Sequence, residues 1–183
     1  MNSHFYNQIK NSTSHTKSRQ DNAEFVRKNP EYLPYLMELC FLVDDKTHIR
    51  ATAVLEKLFE IDFELSKPYI DTICSKISLL KNDSAIRAVS RHLMFLVQDN
   101  TQKRKSKNDY LTQNQLDKIA EASFDWLISD YRVAVKHHAM YTLLEIGKQQ
   151  DWIYPEMKII LEKDAHCHSI GYKVVAKNII AQL

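Results

Sequence analysis

The sequence predicts an all-α protein: a right-handed α-α superhelix of about four helical hairpins behind an N-terminal helical cap. Three observations predict it. An apolar residue followed by a cation, with a small residue four positions after the apolar one, occurs four times: Ile49-Arg50 with Ala53, Ile86-Arg87 with Ser90, Val135-Lys136 with Ala139, and Tyr172-Lys173 with Ala176. Such self-similarity marks stacked supersecondary units. Around each copy the apolar residues keep the i, i+3, i+4, i+7 spacing of a half-buried helix, and no useful length alternates with the period of two that a strand needs. The copies lie 37, 49 and 37 residues apart, and the long middle interval holds the polar stretch "QDNTQKRKSKND". One inserted loop explains the irregularity.

Each hairpin then follows in order. Residues 1–29 form the cap, with a helix over about Ser14 to Lys28. The hairpin over 30–62 pairs Pro30–Val43 with Lys46–Ile61, and that over 63–99 pairs Ser66–Leu80 with Ser84–Gln98. After a polar basic loop at 100–111, the hairpin over 112–149 pairs Thr112–Ser129 with Tyr131–Lys148, and that over 150–183 pairs Trp152–Lys163 with His166–Gln182. Thirteen residues before each anchor stand Leu36, Ile73, Ala122 and Ile159; sixteen before stand Leu33, Ile70, Ile119 and, as the exception, Glu156. Asp45, Asp83, Asp130 and Asp164 precede the second helices, where a carboxylate can accept from orphan amides and sit at the positive end of the macrodipole. Pro30, Pro68 and Pro155 fall near the starts of first helices, where a missing amide costs little. Thr112 is placed to cap its helix and Gly147 to close the one before "KQQDW". The small residues Ala53, Ser90, Ala139 and Ala176 let neighbouring backbones approach.

Composition bounds the chemistry. A chain of 183 residues, 44% hydrophobic and 26% charged, suits one domain that buries about 70% of its unfolded surface. Two glycines and four prolines leave no material for a dinucleotide fingerprint or a P-loop. The three cysteines, Cys40, Cys74 and Cys167, are odd in number, widely spaced and without a CxxC, which suits buried thiols in a reducing compartment. The N-terminal residues lack the apolar core of a signal peptide, and no apolar run reaches a membrane span. A cytoplasmic protein without membrane contact is expected. The net charge is +2, and the basic excess sits in "QKRKSK", with Lys103, Arg104, Lys105 and Lys107.

"DSAIRAVSRHL", with Asp83, then Ile86-Arg87, then small and apolar residues at helical spacing, resembles the second helix of a HEAT repeat. The resemblance covers about residues 30 to 183 and implies a HEAT/armadillo-like solenoid. The chain also resembles short bacterial proteins in which "DWLI", "DWIYPE" and "ILEKD" recur in this order, here Asp125–Ile128, Asp151–Glu156 and Ile160–Asp164. Members of that group often carry the label adenylosuccinate lyase. The lyase's own signature, a serine-rich segment ending in Met-Pro-x-Lys-x-Asn, is absent here, so the label is read as a name and not as an activity.

Four groups of residues bear on function. The cations Arg50, Arg87, Lys136 and Lys173 either line a surface that grips an acidic partner or a phosphate backbone, or pair with Asp45, Asp83 and Asp130 as a charge ladder within the stack; the ladder is the favoured alternative. Lys103, Arg104, Lys105 and Lys107 form either a contact for nucleic acid or an acidic protein, or a solvated connection. Trp126 and Trp152 are either inter-helix packing or partner anchors. In "DAHCHS", His166, Cys167 and His168 beside Asp164 raise a metal, but no further ligand cluster completes a site, and adjacent His137 and His138 diverge on a helix. No metal, cofactor or catalytic constellation is expected. The leading functional expectation is a non-catalytic protein-interaction or scaffold module, since stacked hairpins expose a long docking surface. Second stands a nucleic-acid binder, which DNA alkylation repair proteins of HEAT-like fold support by analogy, and last an adenylosuccinate lyase.

Overall fold

The computed structural model describes residues 2–164 and 168–183, without the side chain of residue 164. Among the described residues there are ten α-helices: α1 (Ser3–Lys10), α2 (Thr16–Lys28), α3 (Leu33–Cys40), α4 (Thr47–Ile61), α5 (Ile70–Lys76), α6 (Asp83–Arg104), α7 (Gln113–Ile128), α8 (Val133–Gly147), α9 (Ile153–Asp164) and α10 (Ile170–Ile180). No strand occurs among the described residues. The all-α expectation holds. The residues group into two compact units, Met1–His92 and Leu93–Leu183, with α6 contributing to both.

In the first unit α3 packs on α4, and α1 and α2 also lie against α4. The cap is therefore two helices, where the sequence pattern gives one. Phe5 and Ile9, one turn apart, are 1% and 0% exposed; Asn2 caps α1 by accepting from the Phe5 amide at 3.1 Å. Two apolar residues in a polar stretch are a faint signal, but Phe5 and Phe25 meet Tyr32 at ring-centroid distances of 4.9 and 5.1 Å, enough to anchor a short helix. Leu36, Leu39, Val54 and Leu58, each no more than 1% exposed, form the α3–α4 core. The expected helix Ser66–Leu80 is broken into 3-10 turns at Phe63–Tyr69 and Ile77–Leu79 around α5. Pro68 inside the first turn has no amide to donate, and Ser66 Oγ donates to Phe63 O at 2.8 Å, an alternative to helical pairing.

In the second unit α7 packs on α8, α9 on α10, and α8 touches both later helices. Thr112 caps α7 with a full capping box, its Oγ1 accepting from the Gln115 amide while Gln115 Oε1 accepts from the Thr112 amide. The expected register fails in the last hairpin: Ile159 is 60% exposed, whereas Ile153, Met157 and Leu161 are fully buried. Gly147 is not the expected left-handed cap: it is the last residue of α8, with Lys148 as C-cap and, among the described residues, no glycine at positive φ. Its place is set by space, since a Cβ there would overlap the Tyr154 ring, whose hydroxyl donates to Leu144 O at 3.1 Å.

Two boundary expectations need correction. The loop at 100–111 begins later, because α6 continues through Lys103 and Arg104; cations in a last helical turn suit the macrodipole. Asp83 does not cap α6. Asn82 does, its Oδ1 accepting from the amides of Ser84 and Ala85 at 2.9 and 3.4 Å.

Candidate functional site

A cleft of about 780 Å³ opens in the first unit, lined by Lys10, Asn11, Ser12, Thr13, Ser14, Arg19, Lys46, Ile49, Arg50, Ala53, Ser84 and Arg87. Five of these residues are cations, and among the described residues no carboxylate lines it. Its walls come from the α1–α2 turn and from the beginnings of α2, α4 and α6. Three helix starts thus meet where five cations gather, those of α4 and α6 already capped by Asp45 and Asn82. The field of the cations attracts an anion.

The walls are fixed by hydrogen bonds. Gln8 Nε2 donates to Asn22 Oδ1 at 3.0 Å, and the Thr13 amide to Ser18 Oγ at 3.0 Å, holding the α1–α2 turn. Tyr6 donates its hydroxyl to Asp45 at 2.6 Å, and the Thr47 amide donates to the other oxygen of Asp45 at 2.8 Å, tying α1 to the start of α4. These bonds, the Tyr6 one foremost, hold the Asp45 carboxyl down at a pKa of about 2. Lys10, one turn after Tyr6, stands with Nζ 5.7 Å from that ring's centroid.

Arg87 is the rigid cation of the set. Its guanidinium makes two bonds to Glu56 of α4, at 3.2 and 2.9 Å; Glu56 is 8% exposed and also accepts from Arg91 at 3.2 Å. A planar fork on a carboxylate fixes orientation as well as charge. Arg50, by contrast, is exposed and has no ion-pair partner among the described residues. Arg19 keeps its Nε shielded from solvent without a hydrogen-bond partner. Ala53 is half-buried on the cleft floor, where its expected role of close helix packing gives way to leaving space; Ser90, Ala139 and Ala176 are buried as expected. A smaller cavity of about 400 Å³ adjoins through Arg19, Ala53 and Arg87, and its acids Glu56 and Glu60 are matched by Lys57 and Arg91.

The structure brings Arg50 and Arg87 together, as the cation pattern suggests. The expected aspartate ladder is not what holds Arg87, whose partner is Glu56. Lys136 is turned inward: it is 2% exposed, and its Nζ donates to Leu127 O at 2.8 Å with His168 Nε2 at 3.4 Å, so it offers no docking surface. Lys173 is exposed on α10. Trp126 is 5% exposed and belongs to the core; Trp152 is 53% exposed, stacked on Phe124 at 5.7 Å, with Nε1 donating to Gln150 Oε1. Of the basic stretch, Lys103 bridges to Asp99 at 2.8 Å, while Arg104, Lys105 and Lys107 are exposed. His166 and Cys167 lie outside the described residues, among which no metal-holding group of side chains occurs.

Sequence reasoning missed Lys10, Arg19 and Lys46. A signal existed: Lys46 and Arg50 stand one turn apart at the start of α4, where cations oppose the macrodipole and cost about 0.3–1 kcal/mol each. Comparison with protein-family models, curated proteins and solved structures finds no match to this chain.

Proposed function

We propose that this chain is a non-catalytic binding module of helical-repeat type that holds an anionic partner in the cleft of its first unit. The observation that carries the reading is the lining of that cleft: five cations, small hydroxyls and no acid among the described residues. Such groups hold negative charge. They offer no nucleophile–base–acid set of the kind a lyase or hydrolase arranges. The stacked hairpins of a HEAT-like solenoid, which the four sequence copies support, are suited to recognition rather than turnover. The nucleic-acid reading draws less support, since Lys103 of the basic stretch is committed to Asp99 and no aromatic ring lines the cleft to stack a base.

The test is fluorescence anisotropy with a labelled polyglutamate chain at low and moderate salt. Binding should weaken as salt rises, and the double reversal Lys46→Glu with Arg50→Glu should lower affinity at least tenfold. Reversal of Lys105 and Lys107 should leave it unchanged. Equal affinity in the Lys46/Arg50 variant, with circular dichroism showing it folded, defeats the assignment.

A further inference from the structure

We infer that the anionic group held in this cleft is a cluster of two or three phosphates carried without an aromatic moiety, an inference that rests on reading the cleft as an anion site. Three features of the first unit converge on it.

Charge density comes first. Among the described residues Lys46 and Arg50 enter the cleft without a carboxylate partner, Lys10 shares its charge with Asp45, and Arg19 adds a cation whose Nε has no hydrogen-bond acceptor. One carboxylate brings a single negative charge, so a peptide side chain leaves most of this field unanswered. A phosphate monoester carries about −1.5 to −2 and three acceptor oxygens. Two or three phosphates in succession match Arg19, Lys46 and Arg50, the three lining cations without an ion pair among the described residues, within a cleft of about 780 Å³.

The second feature is the placement of those cations. Arg19, Arg50 and Arg87 lie in or next to the first turns of α2, α4 and α6, where a positive side chain opposes the helix field. Arg87 is answered by Glu56, but Arg19 and Arg50 placed there work against the fold, and an anion seated beside them relieves that repulsion. A site of this kind lowers local stability when empty and restores it when filled.

Chemistry of the lining is the third. The remaining polar groups are Asn11, Ser12, Thr13, Ser14 and Ser84, donors fit for phosphate oxygens, and no ring lines the cleft. A nucleobase would find nothing to stack on. The shared chemistry is therefore clustered phosphate, whether as an inorganic anhydride chain or as esters on a polyol.

Isothermal titration of the full chain with four probes separates the alternatives: inorganic tripolyphosphate, myo-inositol hexakisphosphate, ATP and hexaglutamate. At least one of the first two should bind tenfold or more tightly than hexaglutamate, and the tighter of the two identifies the source. Arg50→Gln should weaken that binding at least tenfold, and the same probe should raise the melting temperature of the native chain more than that of the variant. ATP should bind no better than tripolyphosphate; tenfold tighter binding of ATP overturns the absence of base recognition. Equal affinity for hexaglutamate overturns the phosphate assignment while leaving the anion-binding module standing. Binding by none of the four overturns both. Phosphate binding that Arg50→Gln leaves unchanged places the site elsewhere and overturns this inference.

Discussion

At the scale of single residues, Arg50 and Arg87 show how one sequence pattern yields two kinds of side chain. Both follow an apolar anchor, yet Arg50 stands free at the cleft while Arg87 is clamped on Glu56. Removing Arg87 leaves a carboxylate that is 8% exposed with Arg91 as its remaining partner. Arg87→Ala should therefore cost about 2 kcal/mol in urea unfolding, whereas Arg50→Ala should stay within about 0.5 kcal/mol. Equal costs would mean that Glu56 does not depend on its fork. The sequence could not reveal which acid meets Arg87, because Glu56 lies 31 residues upstream on another helix. Lys136 was illegible for the same reason: its position in the repeat is that of a surface cation, and partners met only in the fold, the Leu127 carbonyl at 2.8 Å among them, accompany its burial.

Among the helices, existence and type were legible wherever apolar periodicity was long, and ends were legible wherever a polar side chain served as a cap. Thus α7 starts one residue after Thr112, as read from the sequence. Short helices and 3-10 turns were not legible, since α1 rests on two apolar residues and the α5 segment is divided around Pro68. The C-terminus of α6 is a third case. The Asn108 amide donates to Lys103 O and the Lys107 amide to Arg104 O, both at 3.0 Å, while Lys107 itself has φ 58°. This is a Schellman ending with lysine where glycine is usual. A Cβ in the left-handed region costs about 1–2 kcal/mol, so Lys107→Gly should stabilise the chain by about 1 kcal/mol. Thermal unfolding checks it, and a lower melting temperature contradicts it.

For the molecule as a whole, the apolar pattern foretold an all-helical chain but not the cleft of the first unit, because a cleft is made by elements distant in sequence and by what they leave unfilled. Acid sensitivity is likewise a property of the whole fold. His92 is 7% exposed, its Nε2 has no partner, and its ring lies 4.5 Å from that of Phe59; burial pushes its pKa down from 6.5 to about 3. The fold accepts only the neutral ring, so stability is complete above pH 6.5 and is lost as pH falls toward 3, by up to about 1.4 kcal/mol per unit. Asp45, held down to about 2, adds a second loss below its ordinary 3.8. Urea midpoints measured stepwise from pH 7 to 4 should fall, and His92→Leu should flatten that slope; a wild-type midpoint constant over this range would refute the assignment. One last consequence belongs to Ala53, whose lone methyl leaves the floor of the cleft open. Ala53→Leu would retain every positive charge while filling the space between them. Long-range capture, which governs how fast a ligand arrives, could then be timed apart from close seating, which governs how long it stays.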